Sequence, residues 1–457
     1  MSETFDAIIV GAGQAGPALA GRLTAAGMRV ALIERGRIGG TCVNTGCTPT
    51  KAMIASAYAA HLARRGCDYG FEAGPVSVDL AAVVARAQAI AGRSRANNEN
   101  WLAGMAGLTL IRGHARFTGP DTIEVDGRRL QAPKIFLDVG GRPVRPDLPG
   151  IDAVTTLDNE ALLTLERLPE HLVVVGGSYV GLEFAQMFRR FGSEVTVVEK
   201  GPRLIGREDA DVSEAIRAIL ETEGIAVRTD ATCISLEPAS LGASVGVSCT
   251  EGEPRVTGTH VLLAMGRRPN TDDLGLDRAG VETDERGHIR VDDRLRTNIP
   301  GIWALGDCNG RGAFTHTAWN DFEIVAANLL DGEQRSLAQR VPGYALYVDP
   351  PLGRVGMTEA QARASGRPLL VATRPMSCVA RAIEKGETAG LMKLVADAET
   401  RMILGAAILG TGGDEAIHGV LDMMSAGRPL DELRWAVPIH PTVSELIPTL
   451  LLDLAPA

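Results

Sequence analysis

Phe5-Asp6-Ala7-Ile8-Ile9-Val10-Gly11-Ala12-Gly13-Gln14-Ala15-Gly16 starts as an apolar strand and turns sharply through glycines. An Ala/Leu helix follows, and Arg29–Glu34 reads as a second strand closed by an acid. Gly11 permits the tight turn, Gly13 lets backbone N–H groups approach a pyrophosphate, and Gly16 lets helix and strand pack closely. Glu34 stands where a carboxylate accepts hydrogen bonds from ribose hydroxyls. A lone Gly-x-Gly-x-x-Gly is weak evidence, but here strand, helix and acid complete the unit. The arrangement returns at His171–Val175, Gly176-Gly177-Ser178-Tyr179-Val180-Gly181, a helix to Phe191, and Glu194–Glu199. Ser178 replaces the middle glycine and is small enough to leave room. Two βαβ units imply an α/β chain with two nucleotide sites.

The length of 457 residues sets a prior of about three domains. The formal charge of −10 argues against nucleic acid or an anionic membrane as partner. No signal-type run precedes the first strand, and no apolar span of about twenty residues occurs. A soluble, cytoplasmic protein is expected. Pro-rich Arg142–Pro149 reads as a linker into the second unit, and the chain returns from it around Gly266–Asn270. Polar Asp331–Gln339 leads into a last segment of alternating strands and helices.

The seven cysteines (42, 47, 67, 233, 249, 308 and 378) contain one close pair. It lies in Gly39-Gly40-Thr41-Cys42-Val43-Asn44-Thr45-Gly46-Cys47-Thr48-Pro49-Thr50-Lys51. Such a pair can close a small disulfide loop and accept electrons from a nearby cofactor; the alternatives are two buried thiols or half a zinc site. No His or second Cys pair stands nearby with ligand spacing, so no metal site is expected. In a reducing compartment the other five cysteines are expected to be structural.

The motif around Cys42 and Cys47 resembles the active-site disulfide of the flavin-dependent pyridine nucleotide-disulfide oxidoreductases. That family includes glutathione reductase, dihydrolipoamide dehydrogenase and mercuric reductase, and the resemblance covers essentially the whole chain. It implies two Rossmann-like dinucleotide-binding domains, for FAD and NAD(P), and a C-terminal α+β dimerisation domain. The expected boundaries are 1–146 and 271–338 for FAD binding, 147–270 for NAD(P) binding and 339–457 for dimerisation. FAD would meet Gly11, Gly13, Gly16, Glu34, Thr41, Lys51, Ala115, Asp307 and Thr315. The nicotinamide nucleotide would meet Gly176, Gly177, Gly181, Glu199 and Gly266. Glu199 repels a 2′-phosphate, so NADH is expected, with NADPH kept possible by Lys200 and Arg203. Asp138 departs from the small neutral residue expected in Asp138-Val139-Gly140-Gly141-Arg142-Pro143.

By the same resemblance, electrons pass from nicotinamide through FAD to a Cys42–Cys47 disulfide, with Cys47 next to the flavin and Cys42 exchanging with substrate. Lys51 and Glu183 form an ion pair beside the flavin. His440 in His440-Pro441-Thr442-Val443-Ser444-Glu445, oriented by Glu445, serves as acid and base at the partner subunit's disulfide. A homodimer with shared active sites follows. The expected enzyme acts on a sulfur group of its donor with NAD(P), and its substrate is a small disulfide or dithiol. The alternatives are a reductase of Hg(II) or Cu(II), and a flavin/NADH redox sensor acting on a protein partner. The run around Cys42 and Arg189–Glu199 look most like mercuric reductases. Against a metal substrate, the sequence has no Cys-x-x-Cys, and Leu451–Ala457 holds no cysteine pair.

Overall fold

The computed structural model describes residues 2–248 and 253–457. Cys249 therefore lies outside the described residues, as does the side chain of Cys233. The chain divides into two compact units, each assembled from three segments.

The first unit comprises the residues up to Ala52, Val84–Val144 and Gly266–Arg340. Its centre is a parallel sheet in the order Ile302–Ala304, Ile135–Leu137, Ala7–Val10, Val30–Glu34, Leu108–Arg112. Side chains alternate across a strand, so an all-apolar strand serves two cores. Ala7, Ile9, Val30 and Leu32 join the core formed with the helices Gly16–Ala25 and Thr315–Leu330. Ile8, Val10, Ala31 and Ile33 join a second core with Ala115, Phe117, Ile123 and Leu130. Those last residues come from an antiparallel meander, Ala115–Gly119, Thr122–Val125 and Arg128–Gln131. The segment read as a linker begins as a strand instead: Gly141–Pro143 pairs antiparallel with Arg267–Pro269. Arg142 reinforces the pairing by donating to the Asn270 side chain at 2.9 Å.

The second unit comprises Met53–Val83, Arg145–Met265 and Val341–Ala457. It holds another parallel sheet, ordered Ala226–Arg228, Glu194–Val198, His171–Val175, His260–Leu263. A three-stranded antiparallel sheet, Thr232–Pro238, Ala243–Ser248 and Arg255–Gly258, shares its core. The C-terminal part is a six-stranded antiparallel sheet. Its order is Gly343–Leu346, Leu352–Gly356, Ile403–Leu409, Leu391–Asp397, Leu369–Pro375, Ala455–Pro456. Met392, Leu394, Ala406 and Ile408 of that sheet pack with Ile417, Val420, Ile447 and Leu450.

Buried charge joins the nucleotide-type part of this unit to the C-terminal sheet. Arg354, on Leu352–Gly356, is 1% exposed and donates to Glu208 at 3.0 Å. Asp209 accepts from the backbone N–H groups of Glu359 and Ala360 at 3.0 and 3.1 Å. Lys393 reaches Asp211 at 2.8 Å and Glu359 at 2.7 Å. Removing one partner of such a buried pair strands the other charge and is strongly destabilising.

Candidate active site

Both glycine turns are built alike. Gly11 has φ +104°, and a Cβ there would come within 2.1 Å of the Asp138 carbonyl oxygen. At Gly16 a Cβ would lie 2.2 Å from the Gly11 carbonyl oxygen, so helix and turn close on each other only because both are glycine. Glu34 accepts from the backbone N–H of Ala12 at 2.8 Å and of Gly36 at 2.6 Å. In the second unit Gly176 has φ +119°, and a Cβ at Gly181 would lie 2.0 Å from the Gly176 carbonyl oxygen. Glu199 accepts from Gly177 at 2.6 Å and Gly201 at 2.7 Å. Each cradle is one that a side chain would fill, with helix N–H groups and a strand-end carboxylate at its rim. That donor and acceptor set fits a dinucleotide.

In the first unit, Ala115 is buried at the start of its strand, and Gly266, expected at the nicotinamide nucleotide, takes φ +111°. Asp307 follows the strand Ile302–Ala304; burial raises its carboxyl, and Arg267, with Nε 3.9 Å away, opposes that. Asp321 fixes the same turn by accepting from the Gly306 N–H at 2.8 Å. Asp138 is buried and accepts from the Gly16 N–H at 2.8 Å.

The dithiol is placed by two helices. Thr41 and Cys42 ride on Gly40–Asn44, and Cys47 is the first residue of Cys47–Arg64. Asn44 braces the entry to the first of them, donating to the carbonyls of Ile38 and Gly40 at 2.9 Å each. Arg95 donates to the Asn44 side-chain oxygen at 3.0 Å. Arg267 reaches the Thr41 hydroxyl at 3.4 Å. Both sulfurs are thiols here, Cys42 half-buried and Cys47 exposed.

The two thiols are unequal. A hydrogen bond from the Cys42 thiol holds Cys47 down at about 6, helped by the Thr315 hydroxyl, 3.3 Å from its sulfur, and by the Lys51 charge. The same hydrogen bond, with burial, pushes Cys42 far above the usual thiol range. The pair's first proton therefore leaves from Cys47, at a helix N-terminus where a thiolate is favoured.

In the second unit, Glu183 is buried on the helix Tyr179–Phe191 and accepts from the Tyr347 N–H at 3.1 Å. His440 Nδ1 lies 2.8 Å from Glu445 Oε2, the imidazole 74% exposed and the carboxylate largely covered. The peptide bond between His440 and Pro441 is cis. Just before it, Trp435, Val437 and Ile439 are 78%, 95% and 80% exposed.

Among the other cysteines, Cys308 is buried, its thiol donating to the Leu305 carbonyl at 3.2 Å, while Cys67 and Cys378 are exposed. Sequence reasoning missed the Asn44–Arg95 brace and Arg267. Asn44 stood inside the quoted motif, whereas Arg95 lies on the distant helix Leu80–Ala103 with no local signal. Among the described residues, no group of three or more His, Cys, Asp or Glu is gathered to hold a metal ion, and no helix is long and apolar enough to cross a membrane.

Paired dinucleotide cradles with a polarised dithiol beside the first define a nicotinamide- and flavin-dependent oxidoreductase. Residues 5–321 match the pyridine nucleotide-disulphide oxidoreductase family and residues 342–451 its dimerisation domain, and the chain belongs to this family. It is 36% identical to the probable pyridine nucleotide-disulfide oxidoreductase RclA of Escherichia coli (strain K12), over 96% of this chain and 97% of that one. It is 35% identical to a mercuric reductase of Streptomyces lividans, covering 94% and 92%. It is 34% identical to a dihydrolipoyl dehydrogenase of Thermus scotoductus (strain ATCC 700910 / SA-01), covering 97% and 96%. Among solved structures, the HOCl-induced flavoprotein disulfide reductase RclA from Escherichia coli superposes with a TM-score of 0.88 at 36% identity, covering 97% of this chain and 99% of that one. Its Cu(II) complex gives 0.88 at 35% identity with the same coverage.

The expected fold class holds: two Rossmann-like dinucleotide-binding domains and a C-terminal dimerisation domain. The protein is an FAD- and NAD(P)H-dependent oxidoreductase of the disulfide-reducing type, and its dimerisation domain points to a homodimer.

Proposed function

We propose that the protein is a cytoplasmic NADH:disulfide reductase whose Cys42–Cys47 pair reduces a small disulfide. The observation that carries this reading is the inequality of the two thiols. The Gly11–Gly16 turn, Glu34, Thr41, Lys51, Ala115, Asp307 and Thr315 would hold FAD, which would supply a two-electron relay between nicotinamide and dithiol. NADH is held by Gly176, Gly177, Gly181, Glu199 and Gly266.

In the reduced protein Cys47 is the resting thiolate and Cys42 keeps its proton. Cys42 is the sulfur that exchanges with substrate, so it needs a base. The partner subunit's His440, oriented by Glu445, takes the Cys42 proton. The Cys42 thiolate then attacks the substrate disulfide, forming a mixed disulfide and expelling one thiolate, which recovers the proton from the imidazole. Cys47 attacks Cys42 Sγ, releasing the second thiolate to take a proton from solvent and restoring the Cys42–Cys47 disulfide. Each cycle consumes one NADH and one proton per disulfide cleaved to two thiols. Lys51 and Glu183 pair beside the flavin in this reading. The exposed run Trp435, Val437 and Ile439 packs on the second copy of the chain.

A second reading, reduction of Cu(II) or Hg(II) by the same pair, is favoured by the Cu(II) complex of the related RclA and by the mercuric reductases. NADH oxidation with oxidised glutathione, lipoamide, bis-cysteine disulfides, Cu(II), Hg(II) and quinones separates the readings. A disulfide is expected to be the best acceptor, with turnover abolished in Cys42→Ser. A metal ion as best acceptor transfers the assignment to the second reading, and quinone turnover that survives loss of both cysteines overturns both.

A further inference from the structure

Asp138 is the residue whose presence the sequence left unexplained. It follows the strand Ile135–Leu137, which pairs with Ala7–Val10, and ends beneath the first glycine turn. A Cβ on Gly13 would come within 3.0 Å of Asp138 Oδ2, and a Cβ on Gly306 within 3.3 Å of its Oδ1. The carboxyl therefore fills the space between the turn, the start of the helix Gly16–Ala25 and the turn that carries Asp307. It is 6% exposed, and its Oδ2 accepts from the Gly16 N–H at 2.8 Å.

Its ionisable neighbours are Glu34 at the end of Val30–Glu34, Asp307 and Cys308 on the turn after Ile302–Ala304, and Asp321 on the helix Thr315–Leu330. The cations nearest these acids, Arg267 and Arg340, pair with Asp307 and Asp321. A carboxylate at 138 would thus stand among other acids, under a turn that has to accept a diphosphate. Like charges this close in a water-poor space cannot all stay ionised without cost.

We propose that Asp138 is a neutral carboxylic acid that braces the diphosphate turn from inside, and that its ionisation weakens FAD binding. This rests on the reading that Gly11–Gly16 holds the FAD diphosphate. Burial, reinforced by Asp307, Glu34 and Asp321 and opposed by the Gly16 N–H, holds the group well above the usual carboxylate range. As an acid it accepts from Gly16 and keeps an O–H to donate; on ionising, the proton goes to solvent and only acceptors remain.

The test is FAD affinity of the apoprotein, read by flavin fluorescence from about pH 5 to about pH 10. The dissociation constant of the wild type is expected to rise with pH, by up to about tenfold per unit beyond the ionisation. Asp138→Asn, which keeps an acceptor and a donor, is expected to stay flat at the tight value. A flat wild-type profile, or an Asn variant that parallels the wild type, overturns the proposal. Should the variant not fold, calorimetry of FAD binding to the wild type in buffers of different ionisation heat decides: proton uptake at alkaline pH supports the brace, and none refutes it. Gly13→Val separates the two layers of argument, because undiminished FAD binding in that variant would place the failure in the site reading and not in Asp138.

Discussion

At the scale of single residues, the chemistry turns on a difference between neighbouring sulfurs. The largest cause of the low Cys47 value is the hydrogen bond from Cys42, with Thr315 and Lys51 behind it. Alkylation of Cys47 by iodoacetamide in the reduced protein, followed on the Cys47 peptide by mass spectrometry, should reach half its maximal rate near pH about 6. Cys42→Ala should move that midpoint up toward an ordinary thiol, about 8.5. Thr315→Val should move it in the same direction by less. An unmoved midpoint in Cys42→Ala would show that the hydrogen bond from Cys42 does not set the thiolate.

At the scale of elements, the two glycine turns share one construction, each closed by a strand-end acid bound to its own turn. Glu199 uses both oxygens on backbone N–H groups, so a 2′-phosphate would meet a fixed negative charge. NADH should exceed NADPH in kcat/KM by about 10–100-fold, in line with what a misplaced polar group costs a built site. Steady-state rates with both coenzymes check this, and a preference for NADPH would mean that Lys200 and Arg203 dominate instead. The strands and turns of these elements were legible because an apolar run ending in glycines has few other uses, as in Ala7–Val10 and in His171–Val175 after its first residue. The helix Leu80–Ala103 was not, since it buries only Leu80, Ala87, Ala91 and Leu102 along a thin stripe. Arg142–Pro149 read as a linker because its prolines signal loop, yet Gly141–Pro143 finds a partner strand more than a hundred residues away. Arg354 and Lys393 look like surface residues in the sequence; their acids, Glu208, Asp209, Asp211 and Glu359, are distant along the chain. The chemical motifs were local and therefore readable, whereas the braces behind them, Arg95 for Asn44 above all, were long-range and not.

At the scale of the whole molecule, the proposed sharing of sites between subunits makes a separable claim. His440→Ala should leave reduction of bound FAD by NADH nearly intact while lowering disulfide turnover by on the order of 10²-fold, the usual loss for a positioned acid–base group. Dimers mixed from His440→Ala and Cys42→Ser chains should regain partial activity, because one of the two sites then holds both native groups. No recovery despite verified subunit exchange would place each site within one chain. The apolar run before His440 carries a consequence of another kind. Trp435, Val437 and Ile439 stand 78%, 95% and 80% exposed on the single chain. In the proposed dimer, where a second copy covers them, association becomes part of folding, so the melting temperature should climb with protein concentration by mass action. Dilution then becomes a denaturant for this enzyme, and the quantity a cell regulates through expression level is also the durability of each copy.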